Sequence, residues 1–263
     1  MRQLGLEPLG DNGGYLQVVP TKGEGRTWNA VGRLSGRDRS AASEAVLLSA
    51  HFDHLGNRSD RAGAPADAVY NGADDDASGT VAVLQLMEAL ARSKRPRRTV
   101  IFALFGSEER GGLGSRHFAA NPPVPLRQIV ANLQFEMIGR PDAKVPPESL
   151  WLTGYERSTL GSALARRGAR LVQDPYPEMK FFFRSDNIHF ARQGIVAHTV
   201  SSYGLHKEYH TPLDDIAHID FTHMTEAIRS FIEPVRWLAN STFRPQWKEG
   251  MQPAAAPPAR GPS

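Results

Sequence analysis

AVLLSAHFDHLG, residues 45–56, is the stretch on which the reading of the fold turns. Ala45-Val46-Leu47-Leu48-Ser49-Ala50 is a short apolar run of strand length, and it reads as a buried strand ending at His51. His51 and Asp53 are two residues apart. In extended chain they share a face, so Asp53 is placed to orient the His51 imidazole.

The same pattern recurs twice. Val100-Ile101-Phe102-Ala103-Leu104-Phe105 ends just before Glu108 and Glu109, and the run from Gln128 to Phe135 ends at Glu136. Three strand-like runs therefore deliver polar residues at their carboxyl ends, where open α/β sheets place their sites. Between the first two, Val81, Leu84, Met87 and Leu90, with Val83 and Leu86, predict an amphipathic core helix entered through Asp76, Ala77 and Ser78. Ser149–Leu152 and Gly194–Ser201 read as strands, and Arg157–Leu171, Asp186–Gln193 and Asp220–Asn240 as helices. This alternation predicts an α/β fold, a single-domain helix–sheet–helix sandwich with a mixed, mostly parallel central sheet.

Composition is that of an ordinary globular chain: 263 residues, 40% hydrophobic and 22% charged, with a formal net charge of +3. The basic cluster Arg92, Lys94, Arg95, Arg97 and Arg98 lacks interleaved aromatics, so it reads as a solvated helix-to-strand connection and not a nucleic-acid surface. Without cysteine the chain can have neither disulfides nor thiolate metal ligands. No apolar run reaches the roughly 18 residues of a transmembrane segment, and MRQLGLEPLGDNGGY lacks the pattern of a signal peptide.

The polar residues at the strand ends define the chemistry. His51 in AHFDHLG, Asp75 in NGADDDASG, Glu109 in GSEERGGLGS, Glu136 in NLQFEMIG and His210 in EYHTPLDD are nitrogen and oxygen donors. Taken singly, His51 reads as a hydrogen-bonded histidine and Asp74–Asp76 as an acidic helix start. Together, two histidines and three carboxylates, one of them shared, match a pair of zinc ions about 3.5–4 Å apart, as a two-metal hydrolase requires.

These motifs, with RSDNIHFARQGI, resemble in content and order those of the zinc aminopeptidase family of the bacterial leucyl type, whose relatives include glutamate carboxypeptidase, glutaminyl cyclase and the transferrin receptor. The resemblance runs from about Trp28 to about Leu238. It implies two Zn2+ per chain, bridged by Asp75, with His51 and Glu136 completing one ion and Glu109 and His210 the other. It further implies Glu108 as general base, Tyr209 as a donor to the tetrahedral intermediate, Arg184 as a substrate contact, and a cis peptide bond between Asp75 and Asp76; the competing reading of Arg184 is a structural salt bridge with Asp186. Many relatives carry aspartate where Glu136 stands, and the histidine of their RSDH segment is Asn187 here. His54, His117, His189, His206 and His218 are read as surface or core residues.

The implied activity is removal of N-terminal residues from peptide substrates. Carboxypeptidase or glutaminyl cyclase activity on the same scaffold, and a receptor-like binding module without catalysis, are the alternatives. The expected organisation is a lead-in over residues 1–27, a peptidase domain over 28–245 and a disordered Pro/Ala-rich tail over 246–263. An upstream helix and an export signal are expected to lie outside this sequence, unless Met1 is the genuine start. The family resemblance leans to an exported or periplasmic protein.

Overall fold

The computed structural model describes residues 1–21, 25–41, 43–60 and 66–255. Its strands in chain order are β1 (Glu7–Pro8), β2 (Leu16–Pro20), β3 (Arg26–Leu34), β4 (Ala45–His51), β5 (Gly56–Asn57), β6 (Val69–Tyr70), β7 (Thr99–Phe105), β8 (Ile129–Phe135), β9 (Leu150–Leu152), β10 (Leu171–Gln173) and β11 (Ala197–Ser201). The helices are α1 (Gly79–Ala91), α2 (Leu113–Ala120), α3 (Leu160–Ala165), α4 (Asn187–Ala191) and α5 (Phe221–Asn240).

Nine strands form one sheet in the order β1-β3-β7-β4-β8-β11-β9-β10, with β2 also paired to β3. The centre is parallel: β4 lies between β7 and β8, and β11 continues beyond β8. The flanks are antiparallel at β3–β7 and β11–β9, while β5 and β6 form a separate ribbon. All seven residues of β4 are buried, which is why its sequence lacks a polar alternation.

Successive residues of these strands feed opposite faces. Val46, Leu48, Ala50, Val100 and Phe102 pack in one core with Leu86, Met87 and Leu90 of α1 and Phe231 and Leu238 of α5. Ala45, Leu47, Ile101, Ala103 and Phe105 pack in a second core with Phe118 of α2 and Phe190 of α4. With α3 against α5 and β10, helices cover both faces, as the sequence predicted. Because β7, β4 and β8 are adjacent and parallel, Glu108, Glu109, His51 and Glu136 emerge side by side at one edge.

Several local expectations are corrected. The helix expected over Arg157–Leu171 stops at Ala165; Gly168 turns the chain with φ of 100°, and Leu171–Gln173 becomes a strand beside β9. The opening residues contribute β1 and β2 to the sheet instead of a mere lead-in. Residues 246–251 pack on the body: Trp247 Nε1 donates to the Gly194 carbonyl at 3.0 Å, and Arg157 donates to the Met251 carbonyl at 3.0 Å. The tail cannot be counted as loose from 246, and residues 256–263 lie outside the described residues. In the basic cluster, Arg98 is fully buried, its Nε 2.5 Å from Glu44, while Arg97 pairs with Asp38 at 2.7 Å. Among the described residues no helix is long and apolar enough to cross a membrane.

Candidate metal centre

Asp75 is the hub. Its Oδ1 lies 3.1 Å from His51 Nε2, and its Oδ2 lies 3.1 Å from His210 Nε2. His210 Nε2 also lies 3.1 Å from Glu109 Oε1. The two oxygens of one carboxylate thus face histidines arriving from different elements: His51 from the end of β4, His210 from the loop after β11.

The hub is set by the turn that carries it. The Asp75–Asp76 peptide bond is cis, as the resemblance implied. Asp214 accepts from the backbone amides of Asp74 and Asp75, both at 3.0 Å, and fixes the turn from outside. Asp76 faces the other way, accepting from the amides of His51 at 3.1 Å, Gly79 at 3.0 Å and Met137 at 3.1 Å. Asp74 accepts from the amide of Gly139 at 2.7 Å and contacts His206 at 3.1 Å. Sequence reading missed Asp76 and Asp214 because a run of three aspartates and the pair LDD carry no mark of which carboxylate binds backbone.

Asp53 lies against His51 with both backbone and side chain, its Oδ1 3.7 Å from Nδ1. The His51 Nδ1 contact at 3.0 Å is with the Asp53 carbonyl oxygen, while its carboxylate accepts from the Glu108 amide at 2.9 Å. A carbonyl only accepts, so Nδ1 carries the proton and Nε2 is left for a cation. The Asp53 carboxylate also anchors the turn bearing Glu108 and Glu109.

Glu136 lies within electrostatic reach of His51 and Asp75 but makes no hydrogen bond or ion pair with either. Its Oε2 accepts from the Ser185 hydroxyl, and the side chain lines a pocket with Trp151, Phe181, Arg184, Tyr203 and Tyr209. Tyr209 stacks on His210 with ring centroids 3.8 Å apart. Arg184 is exposed at the pocket and lies over the Phe181 ring at 5.0 Å, not against Asp186. Asp186 is taken by Ser115 and Gln134. Asn187 is structural: its amide donates to the Phe182 carbonyl at 3.1 Å and it accepts from Thr199 at 2.9 Å.

His54, read from sequence as a surface or core residue, joins the centre. Its Nδ1 lies 3.0 Å from Glu109 Oε1 and 3.7 Å from Asp75 Oδ2. One donor atom from each of His54, Asp75, Glu109 and His210 lies within 4.8 Å of the others. The signal was its position three residues after His51 in the same motif, where spacing alone cannot say how the loop bends.

The electrostatics call for cations. Burial pushes Glu136 up to about 7 and Glu108 up to about 10, the latter aided by repulsion from Glu136 and Asp186. Burial also raises Asp76 well above the usual carboxylate range and Asp186 to about 6. At Asp75 and Glu109 burial is outweighed by His210 and its fellow histidines, which bring both carboxyls down. His51 Nε2, both ring nitrogens of His54 and Glu109 Oε1 are buried with no hydrogen-bond partner among the described residues. Unpartnered nitrogen and oxygen donors converging on one carboxylate are what a divalent cation would satisfy.

Residues 29–233 match Peptidase family M28. The chain belongs to that family. It is 27% identical over 212 residues to leucine aminopeptidase 1 of Penicillium rubens, covering 76% of this chain and 53% of that protein. It is 40% identical over 131 residues to an aminopeptidase of Pseudomonas aeruginosa, covering 49% and 21%. The chain thus spans about half the length of the Penicillium relative, and less of the bacterial one. Among solved structures it resembles a zinc aminopeptidase from Bacillus subtilis, with a TM-score of 0.64 at 22% identity over 83% of this chain and 52% of that one. It also resembles glutaminyl cyclase from Porphyromonas gingivalis, with a TM-score of 0.67 at 19% identity over 89% and 85%. At these identities the structural likeness establishes the α/β fold of this M28 chain.

Proposed function

We propose that this M28 chain is a dizinc aminopeptidase that hydrolyses the N-terminal residue from peptides. The observation that carries this reading is the Asp75 carboxylate, with His51 against one oxygen and His210 and Glu109 beside the other. His51, Asp75 and Glu136 would hold one ion, and Asp75, Glu109 and His210 the second. The donor set, all imidazole and carboxylate, suits zinc, and the likeness to the zinc aminopeptidase from Bacillus subtilis points the same way. Zinc bound there would supply Lewis acidity, polarising the scissile carbonyl and acidifying the attacking water.

The protein's own groups supply the rest. Glu108 sits beside Glu109 on the turn fixed by Asp53, and no hydrogen bond of its carboxylate is found among the described residues. Ionised by the positive charge of bound cations, it would take a proton from water as the oxygen attacks the carbonyl carbon, then pass that proton to the nitrogen as the C–N bond breaks. Tyr209, braced on His210, donates its hydroxyl to the oxygen on which charge develops. Trp151, Phe181 and Tyr203 shape a pocket beside Glu136 for an apolar side chain, with Arg184 at its side.

The test is Glu108→Gln, zinc-loaded and checked for folding, assayed on a leucyl anilide. Removing the base is expected to lower kcat by roughly 10²–10⁴-fold with zinc content retained. Near-normal turnover would remove Glu108 from this role. Cleavage of N-acetylated peptides as fast as free ones would point to carboxypeptidase or endopeptidase chemistry, and cyclisation of N-terminal glutamine without hydrolysis would point to a cyclase.

A further inference from the structure

We propose that His54 is itself a metal ligand, completing with Asp75, Glu109 and His210 a four-donor site that closes one of the two ions. This rests on the two-ion reading above and assigns a residue outside the five-ligand set. The His54 side chain retains only 7% exposure, and neither ring nitrogen has a hydrogen-bond partner among the described residues. A buried imidazole left this way loses hydration at both nitrogens without gaining a hydrogen bond. Its Nδ1 lies 3.0 Å from Glu109 Oε1 without the angular geometry of a hydrogen bond, and 3.7 Å from Asp75 Oδ2. Both oxygens also neighbour His210 Nε2, at 3.1 Å each.

A second feature fixes the ring in place. Gly72, at φ of 65°, lies against His54 so closely that an added Cβ would stand 2.5 Å from His54 Cγ and 2.4 Å from the Asp75 carbonyl oxygen. The glycine that opens the Asp74–Asp76 turn therefore leaves room for the imidazole and ties its placement to the same turn that presents Asp75.

The consequence is asymmetry. With two imidazoles and two carboxylates, this ion would be the more fully coordinated by protein of the two. The ion of His51, Asp75 and Glu136 then has one protein donor fewer and is the one with a position for substrate or water. Glu136, held by Ser185 and facing the aromatic pocket, belongs to that open side.

Cobalt substitution reads the assignment directly. The chain has no cysteine, so in His54→Cys any thiolate-to-cobalt charge-transfer band must arise at position 54. Ligation predicts that band at one equivalent of the two Co2+ bound. His54→Gln should weaken one of two zinc sites roughly 10–100-fold in calorimetric titration, and Gly72→Ala should shift the same site in the same direction. Far-UV circular dichroism of each metal-free variant checks that it is folded. Absence of the band in a folded, cobalt-loaded His54→Cys protein, or two unchanged zinc affinities in His54→Gln, would overturn the assignment. Wild-type protein that binds both ions but cleaves no leucyl anilide would defeat the aminopeptidase reading while leaving the ligand standing.

Discussion

Asp214→Asn tests how the turn presents Asp75. The aspartate uses one oxygen for the Asp74 amide and the other for the Asp75 amide, each at 3.0 Å, and is fully buried. Asparagine has the same shape but one acceptor. Whichever way its amide points, one backbone N–H then faces an NH₂ group instead of an oxygen. The change removes one charge-assisted hydrogen bond, about 1.5–3 kcal/mol, and leaves a buried donor unpaired at a further ~1 kcal/mol or more. A loss of about 3 kcal/mol corresponds to a fall in Tm of roughly 6–12 °C for a chain of this size. Because the displaced amide belongs to Asp75, zinc affinity should fall with stability, by roughly 10–100-fold, as for other groups that orient ligands. Thermal melts with and without zinc, calorimetry and anilide turnover read all three. A variant that melts within about 2 °C of wild type and binds zinc unchanged would refute the claim that Asp214 sets the turn.

Four further outcomes follow from the same geometry. Chelation should destabilise the protein, and restoring zinc to ~1,000 times its Kd should return about 4 kcal/mol, read as a zinc-dependent Tm; a Tm indifferent to chelator would contradict a bound ion. Buried His198 donates from Nδ1 to the Thr153 carbonyl and accepts at Nε2 from Ser158, both at 2.7 Å, and burial lowers its pKa from 6.5 to about 4. The folded state then binds fewer protons than the unfolded one between those values, so this stability is present above about 6.5 and is lost as pH falls towards 4, by roughly 3 kcal/mol; denaturant melts of His198→Gln should lack that part of the acid sensitivity. Glu44→Gln leaves the fully buried Arg98 without its anionic partner and should cost about 3–5 kcal/mol in the same melts. Arg184→Ala, at an exposed side chain, should leave Tm within about 2 °C while raising KM; an unchanged KM would remove it from substrate contact.

The central strands were legible because they are buried on both faces. AVLLSA is wholly buried and VIFALF is buried except for half-buried Leu104, so apolar content alone announces them. Edge strand β2 and its neighbour β3 were not, because their pattern inverts. In β2, Leu16 and Val18 are exposed while Gln17 is buried, and Gln17 is held by Asn29 of β3 at 2.9 Å. Asn29 also donates to the Gly114 carbonyl and accepts from the Gly106 amide. A polar network packed under the sheet erases the hydrophobic alternation on which strand recognition depends.

The same limit governs the centre. Its members could be gathered from motifs, yet their division of labour depends on which acids meet backbone amides. Asp53, Asp76 and Asp214 each accept from two or more N–H groups, and such carboxylates hold loops. Asp75 and Glu109 accept from no backbone amide among the described residues and meet only histidines, so their charge stays available to a cation. In the run Asp74-Asp75-Asp76 the three are chemically identical in sequence, and only the turn decides that the middle one faces the site. His54 follows from that logic. Its ring enters the centre because Gly72 yields the space, a contact made across a bend that no periodicity encodes.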